Sequence, residues 1–182
     1  SYQPFLDVFE QYLRVIEEEG YATLTCSDLV SIAGGRIAAP SRACLLTFDD
    51  GYADFWVYAM PLLKRHRMRA TVFVILERLR SSARCRVTLE DVWSADCKNE
   101  DLYQLPDIGC VNSRCLESDY FPETDHLSWE EALAIARDGF CEVQSHGVDH
   151  AVHYTSDRLK GFLNPNSHWM ARAAAREDAR LG

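Results

Sequence analysis

Two short stretches of this 182-residue chain gather side chains that bind metals and move protons. The first is "TFDDG", where Asp49 and Asp50 follow the apolar run "ACLLTF" at 43–48 and precede Gly51. Asp and Gly are poor strand formers and an unpaired carboxylate beside a core is costly, so a strand that only packs would not end this way. The second is "SHGVDHAVH", which holds His146, His150 and His153. His146 and His150 stand at i, i+4, a spacing that brings two imidazoles to one side of a single helical turn and lets both bind one divalent ion. One added carboxylate makes a two-His, one-Asp set with positions left open for water and substrate, as a catalytic metal requires. Such a metal polarises a carbonyl and activates water. Successive residues at a strand end point in different directions, so one aspartate can bind metal while the other takes a proton.

Each stretch alone has a plainer reading: "DDG" as an ordinary turn, HxxxH as surface polarity. His153, at i+7, is left out of the metal set, and Asp54 and Asp149 read as solvated or helix-N-terminal charges. The aromatic face of Tyr52, Phe55 and Trp56 reads as core, with Tyr52 bordering the site.

The elements that must position these residues follow from periodicity. Residues 4–19 place Phe5, Leu6, Phe9, Leu13 and Ile16 on one helical face between Pro4 and Gly20. Ser27 is expected to cap a short second helix that Gly34 and Gly35 end. A buried strand at 43–48 delivers the aspartates, and helical period resumes with Tyr52, Phe55, Trp56, Ala59, Leu62 and Leu63 on one face before the basic turn "KRHR". "ATVFVIL" at 70–76 is an unbroken β-branched and aromatic run, the mark of a strand covered on both faces. Strand, helix, strand within about thirty residues is a βαβ unit and implies a parallel sheet. Residues 80–126 are polar and aperiodic and read as an insertion loop. Ser128 and Glu131 then form a capping box, Gly139 stops that helix, and a strand at 140–145 leads to the histidines. Both ligand groups thus follow strands, and in parallel α/β folds the C-terminal strand ends share one rim where sites are built.

Composition agrees with one domain over 1–182: 47% hydrophobic and 26% charged residues make an ordinary globular chain. A formal charge of −9 disfavours nucleic acid or anionic membrane as partner. No apolar run is long enough for a transmembrane segment, and no targeting signal is visible. The chain opens at Ser1 without Met, so localisation stays open. Seven cysteines, none in a CxxC pair, exclude a full disulfide framework. Cys44 and Cys141 are expected as buried hydrophobes, and the group Cys85, Cys97, Cys110 and Cys115 as unpaired thiols, because its spacing matches no zinc module.

The stretch "LLTFDDGYADFWVYAMPLLKRHRMRATVFVI" resembles the first signature of the polysaccharide deacetylases, the NodB-homology carbohydrate esterases, and "EVQSHGVDH" is similar to their second. The resemblance implies an α/β fold, a distorted and incomplete (β/α) barrel with its site at the C-terminal strand ends. It implies Asp49 as general base, and Asp50, His146 and His150 as ligands of a divalent metal, usually zinc. The substrate would be an N-acetylated glycan whose acetamide is hydrolysed, with Tyr52 at the substrate rim as the candidate main-chain oxyanion donor. It also suggests the cell envelope or periplasm, with the cytoplasm still open.

Two departures stand out. Gly147 replaces the hydroxyl residue that usually follows the first His and braces the loop, which implies a looser loop and weaker metal binding. The downstream family signatures are not found, and His168 in "NSHW" is a poor match for the late acid. A fragment truncated at its C-terminal side is the expectation, with an exposed sheet edge and homo-oligomerisation as consequences. A carbohydrate-binding or scaffold module retaining the fold without turnover is the alternative function. A phosphoryl-transfer enzyme with Asp49 as nucleophile fits less well, since it would want a carboxylate at 51, where Gly stands.

Overall fold

The computed structural model describes residues 3–104 and 125–150, with side chains from Leu6 onward. The chain divides into two compact units, 1–149 and 150–182; all described residues lie in the first except His150, which begins the second.

Helix α1, Gln3–Glu18, is amphipathic as its periodicity requires: Leu13 is buried, and Leu6, Phe9 and Ile16 pack against the same core. Strand β1, Ala22–Leu24, leads to α2, Cys26–Ala33. The N-cap of α2 is Thr25 rather than Ser27: Thr25 Oγ1 accepts from the Asp28 N–H, and the Asp28 carboxylate accepts from the Thr25 N–H. Ser27 instead donates from its amide and its hydroxyl to Glu142, across to the last strand.

The run 43–48 is not one buried strand. It splits into β2, Ala43–Leu45, which pairs with β1, and β3, Thr47–Phe48, which pairs with β4, Thr71–Val74. Leu46 is the joint, and its carbonyl accepts from the Thr71 N–H. The residues alternate between exposed and half-buried, so the run covers the core on one face only. β4 is the central strand of the order β3–β4–β5, with β5 at Glu142–Ser145, and every pairing is parallel. Thr71, Val72 and Val74 are buried and Phe73 half-buried, which matches the apolar run that announced this strand.

After the aspartates the chain passes through a π-turn, Phe55–Ala59, into α3, Met60–Arg65. The wider turn has a local cause. Pro61 has no N–H and its ring would meet the carbonyl four residues back; the Met60 N–H instead reaches the Phe55 carbonyl. The wider turn also buries Phe55, Val57 and Tyr58 together, so burial is not confined to the single face that the helical period marks. The segment 80–104, which reads as aperiodic, holds a five-residue helix, α4, Leu89–Trp93, with a Thr88–Asp91 capping box, too short to register as a period. Helix α5, Trp129–Asp138, starts at the expected Ser128–Glu131 box and stops at Gly139, φ +71°. The main core joins α1, α3, α5 and β4 through Leu13, Phe55, Leu63, Val72, Leu127 and Ile135. Each buried side chain of this size stabilises the fold by about 1.5–3 kcal/mol.

The expected α/β class thus holds. Of the cysteines, Cys26, Cys44, Cys85, Cys97 and Cys141 are free thiols. Cys141 is buried and its thiol is pushed up to about 11 by burial, whereas Cys44 is only half-buried. Cys110, Cys115, His153 and His168 lie outside the described residues. Among those described, no helix is long and apolar enough to cross a membrane.

Candidate metal centre

Strands β3 and β5 flank β4, so residues just past their ends start about 10 Å apart. Two turns close that gap. Past β3, Asp50 and Gly51 both adopt positive φ, +68° and +69°, and fold the chain back over the end of β4. Gly is required at 51: a Cβ there would lie 2.8 Å from Val74 Cγ1 and 3.1 Å from Val74 Cα. Asp50, a non-glycine residue, stands in the left-handed region, a conformation that costs backbone strain.

Past β5, the His146 N–H donates to the Val74 carbonyl, continuing the ladder one residue beyond the strand. The i, i+4 helical turn expected for His146 and His150 is absent. The loop runs through Gly147 at φ +91° and His150 at φ +58°, so convergence comes from two left-handed residues and not from helical period. The loop is not left unbraced either. Ser145, one residue before His146, accepts from the Gly147 N–H at 3.2 Å and donates to the Gly147 carbonyl at 3.4 Å. The carbonyls of Gly147 and Val148 also accept from the N–H groups of Leu76 and Glu77. The hydroxyl missing after the histidine is supplied from before it.

The outcome is a cluster of three. One oxygen of Asp50 and one nitrogen each of His146 and His150 lie within 4.8 Å of one another. His146 Nε2 and Asp50 Oδ1 are 3.3 Å apart. Two ligands of a tetrahedral zinc, each about 2.0–2.1 Å from the ion, stand about 3.3 Å apart, so the His146–Asp50 pair is spaced as two ligands of a small divalent cation are. Asp50 and His146 are half-buried and His150 is exposed, which leaves one side of the cluster open to solvent. Asp49, one residue before the cluster, is exposed, as is Asp149.

Tyr52 follows the turn and is half-buried. It forms an isolated antiparallel bridge with His126, flanked by Ala53 N–H to Asp125 carbonyl and Leu127 N–H to Gly51 carbonyl, both 2.8 Å. The two rings stack with centroids 4.8 Å apart. His126 escapes a motif-based reading because it lies 74 residues from Tyr52 in an aperiodic stretch; its only signal was its place just before the α5 capping box. Behind this segment, fully buried Glu131 accepts from the Arg86 main-chain N–H at 2.8 Å and from Arg86 Nη1 at 2.6 Å, and Arg86 Nη2 reaches the His126 carbonyl at 3.3 Å. Asp54, read as a solvated or helix-N-terminal charge, stands at the N-terminal end of the Phe55–Ala59 turn and is partly buried, and burial pushes its carboxyl pKa up despite the Phe55 amide.

Residues 36–179 match the sequence profile described as polysaccharide deacetylase. Over 68 residues the chain is 41% identical to YxkH of Bacillus subtilis strain 168, a protein named as a candidate polysaccharide deacetylase; the match covers 37% of this chain and 24% of YxkH. Among solved structures, the chain is similar to IcaB from Ammonifex degensii: TM-score 0.55, 22% identity, covering 96% of this chain and 57% of that one. It is also similar to a de-N-acetylase from Aggregatibacter actinomycetemcomitans: TM-score 0.52, 18% identity, covering 78% of this chain and 44% of that one. At these identities the solved structures speak for the fold, a partial α/β deacetylase fold, and the chain spans about half their length or less than two thirds of it. The profile match extends over well more than half of the residues and includes both turns that carry the three-residue cluster: the chain belongs to the polysaccharide deacetylase family.

Proposed function

We propose that this chain carries the metal-binding and proton-accepting part of a zinc-dependent hydrolase that removes acetyl groups from the N-acetylated sugars of a polysaccharide. The observation that carries this reading is the convergence of Asp50, His146 and His150 within 4.8 Å, with a second, exposed carboxylate at Asp49 one residue earlier in the chain. Asp50, His146 and His150 would hold the ion, which when bound supplies a Lewis acid for the acetamide carbonyl and lowers the pKa of water. Asp49 is the base: its carboxylate takes the proton of the attacking water. Tyr52, fixed by its bridge to His126, offers its main-chain N–H to the developing oxyanion. Membership of the family and the open, exposed side of the cluster support a polymeric glycan as the substrate.

Elemental analysis and an acetate-release assay on an N-acetylated oligosaccharide, run on the parent, His146→Ala and Asp49→Asn, test this. The parent is expected to hold about one zinc per chain, His146→Ala to lose it, and Asp49→Asn to keep it while losing at least about 100-fold in kcat. A parent that takes up no zinc refutes the metal site. A parent that binds zinc and glycan without turnover supports the binding-module alternative.

A further inference from the structure

One buried side-chain polar atom among the described residues has no hydrogen-bond partner: Nε2 of His126. Its main chain is pinned by the bonds on either side of the Tyr52 bridge, and its ring lies at 39° to the Tyr52 ring with centroids 4.8 Å apart. Burial pushes its pKa down, with Arg78 and Arg80 adding to this against the pull of Asp50 and Asp125. The ring is therefore neutral near pH 7 and presents Nε2 as a single donor or acceptor. An unpaired buried nitrogen weakens the fold, and a phenylalanine could lie against Tyr52 without that cost. A costly polar group kept beside a reaction centre has an explanation when its partner arrives with the substrate.

We propose that His126 is a substrate-binding residue, whose Nε2 hydrogen-bonds a hydroxyl of the sugar seated beside Tyr52; this rests on the deacetylase reading above. A hydroxyl is the fitting partner because it both donates and accepts, and so satisfies either tautomer of the imidazole. Nε2 is shielded from solvent, so the sugar reaches it by displacing protein atoms and not water, an induced fit that favours a ligand able to repay the bond.

The test compares zinc-loaded parent, His126→Phe and His126→Gln in acetate release from an N-acetylated oligosaccharide, with zinc content and melting temperature measured on each. His126→Phe is expected to keep its zinc, to melt at or above the parent's temperature, and to lose about ten-fold in kcat/KM. His126→Gln, which restores a polar group, should recover several-fold of that loss. His126→Phe as active as the parent overturns the inference, as does His126→Gln no better than His126→Phe. Loss of zinc or of the fold in His126→Phe also overturns it, because the ring would then be structural. A zinc-loaded parent that releases no acetate refutes the deacetylase reading itself, an outcome visible before any variant is compared.

Discussion

At φ +69° and in contact distance of Val74, Gly51 is constrained twice, by conformation and by space. Gly139 is constrained once: it has φ +71°, but a Cβ there would meet nothing within 4 Å. The pair separates the two effects. Gly139→Ala is expected to cost about 1–2 kcal/mol, the strain of a left-handed residue alone. Gly51→Ala adds overpacking against the β4 main chain and should cost about 2–4 kcal/mol by denaturant unfolding. Because the displaced turn carries Asp50, the zinc affinity that the proposed function assigns to this cluster should fall as well in Gly51→Ala and stay unchanged in Gly139→Ala.

At the scale of elements, what keeps the aspartate turn in place is the segment 125–128, and what keeps that segment in place is α5. Glu131 serves two purposes there: it closes the Ser128 capping box and it anchors Arg86, whose guanidinium reaches back to the His126 carbonyl. Glu131 is fully buried, so removing its cation strands a charge in the core. Arg86→Met is expected to destabilise by about 3 kcal/mol, since breaking a buried pair costs roughly 3–5 and Arg86 itself is partly exposed. Adding Glu131→Gln to Arg86→Met should recover part of the loss, which a double-mutant cycle on thermal or chemical unfolding measures. A purely additive cycle would contradict the coupling.

Across the whole molecule, buried and paired carboxylates pull the acid response in two directions. The main-chain N–H of Thr25 is the largest influence on Asp28 and lowers its pKa; burial opposes it, and Arg69 and the Thr25 hydroxyl add to the lowering, so the net direction is down. Burial raises Glu142, but hydrogen bonds from Ser27, Gln144 and Thr71 outweigh it and the net direction is down. Groups with depressed folded pKa values add stability that is present above their unfolded values, near 3.8 and 4.5, and is lost as pH falls below them. Asp54 works in the opposite sense: burial raises its pKa, so its ionised form costs stability above the folded value. The melting temperature should therefore fall on acidification from pH 5 to about pH 3. Asp54→Asn should melt higher than the parent at pH 7, with the gain vanishing as pH drops below about 3.8, where Asp is protonated in both states. A gain that persists at pH 3 would assign the effect to something other than the charge.

The sequence by itself determined the parts whose causes are local. The Ser128–Glu131 box, the Gly139 stop and the apolar run of β4 are all written within a few neighbouring residues; spacing alone paired His146 with His150 and left open which of Asp49 and Asp50 joins them, a choice made only by the family resemblance. Tertiary structure decided how those donors meet. Period alone suggested a helical turn for the two histidines, yet left-handed residues at 147 and 150 bring them together, because main-chain bonds from Leu76 and Glu77 fix the loop from outside. The split of 43–48 between two sheets, the Ser145 brace and the stacking of His126 on Tyr52 likewise depend on partners tens of residues away or on conformations that no local period encodes.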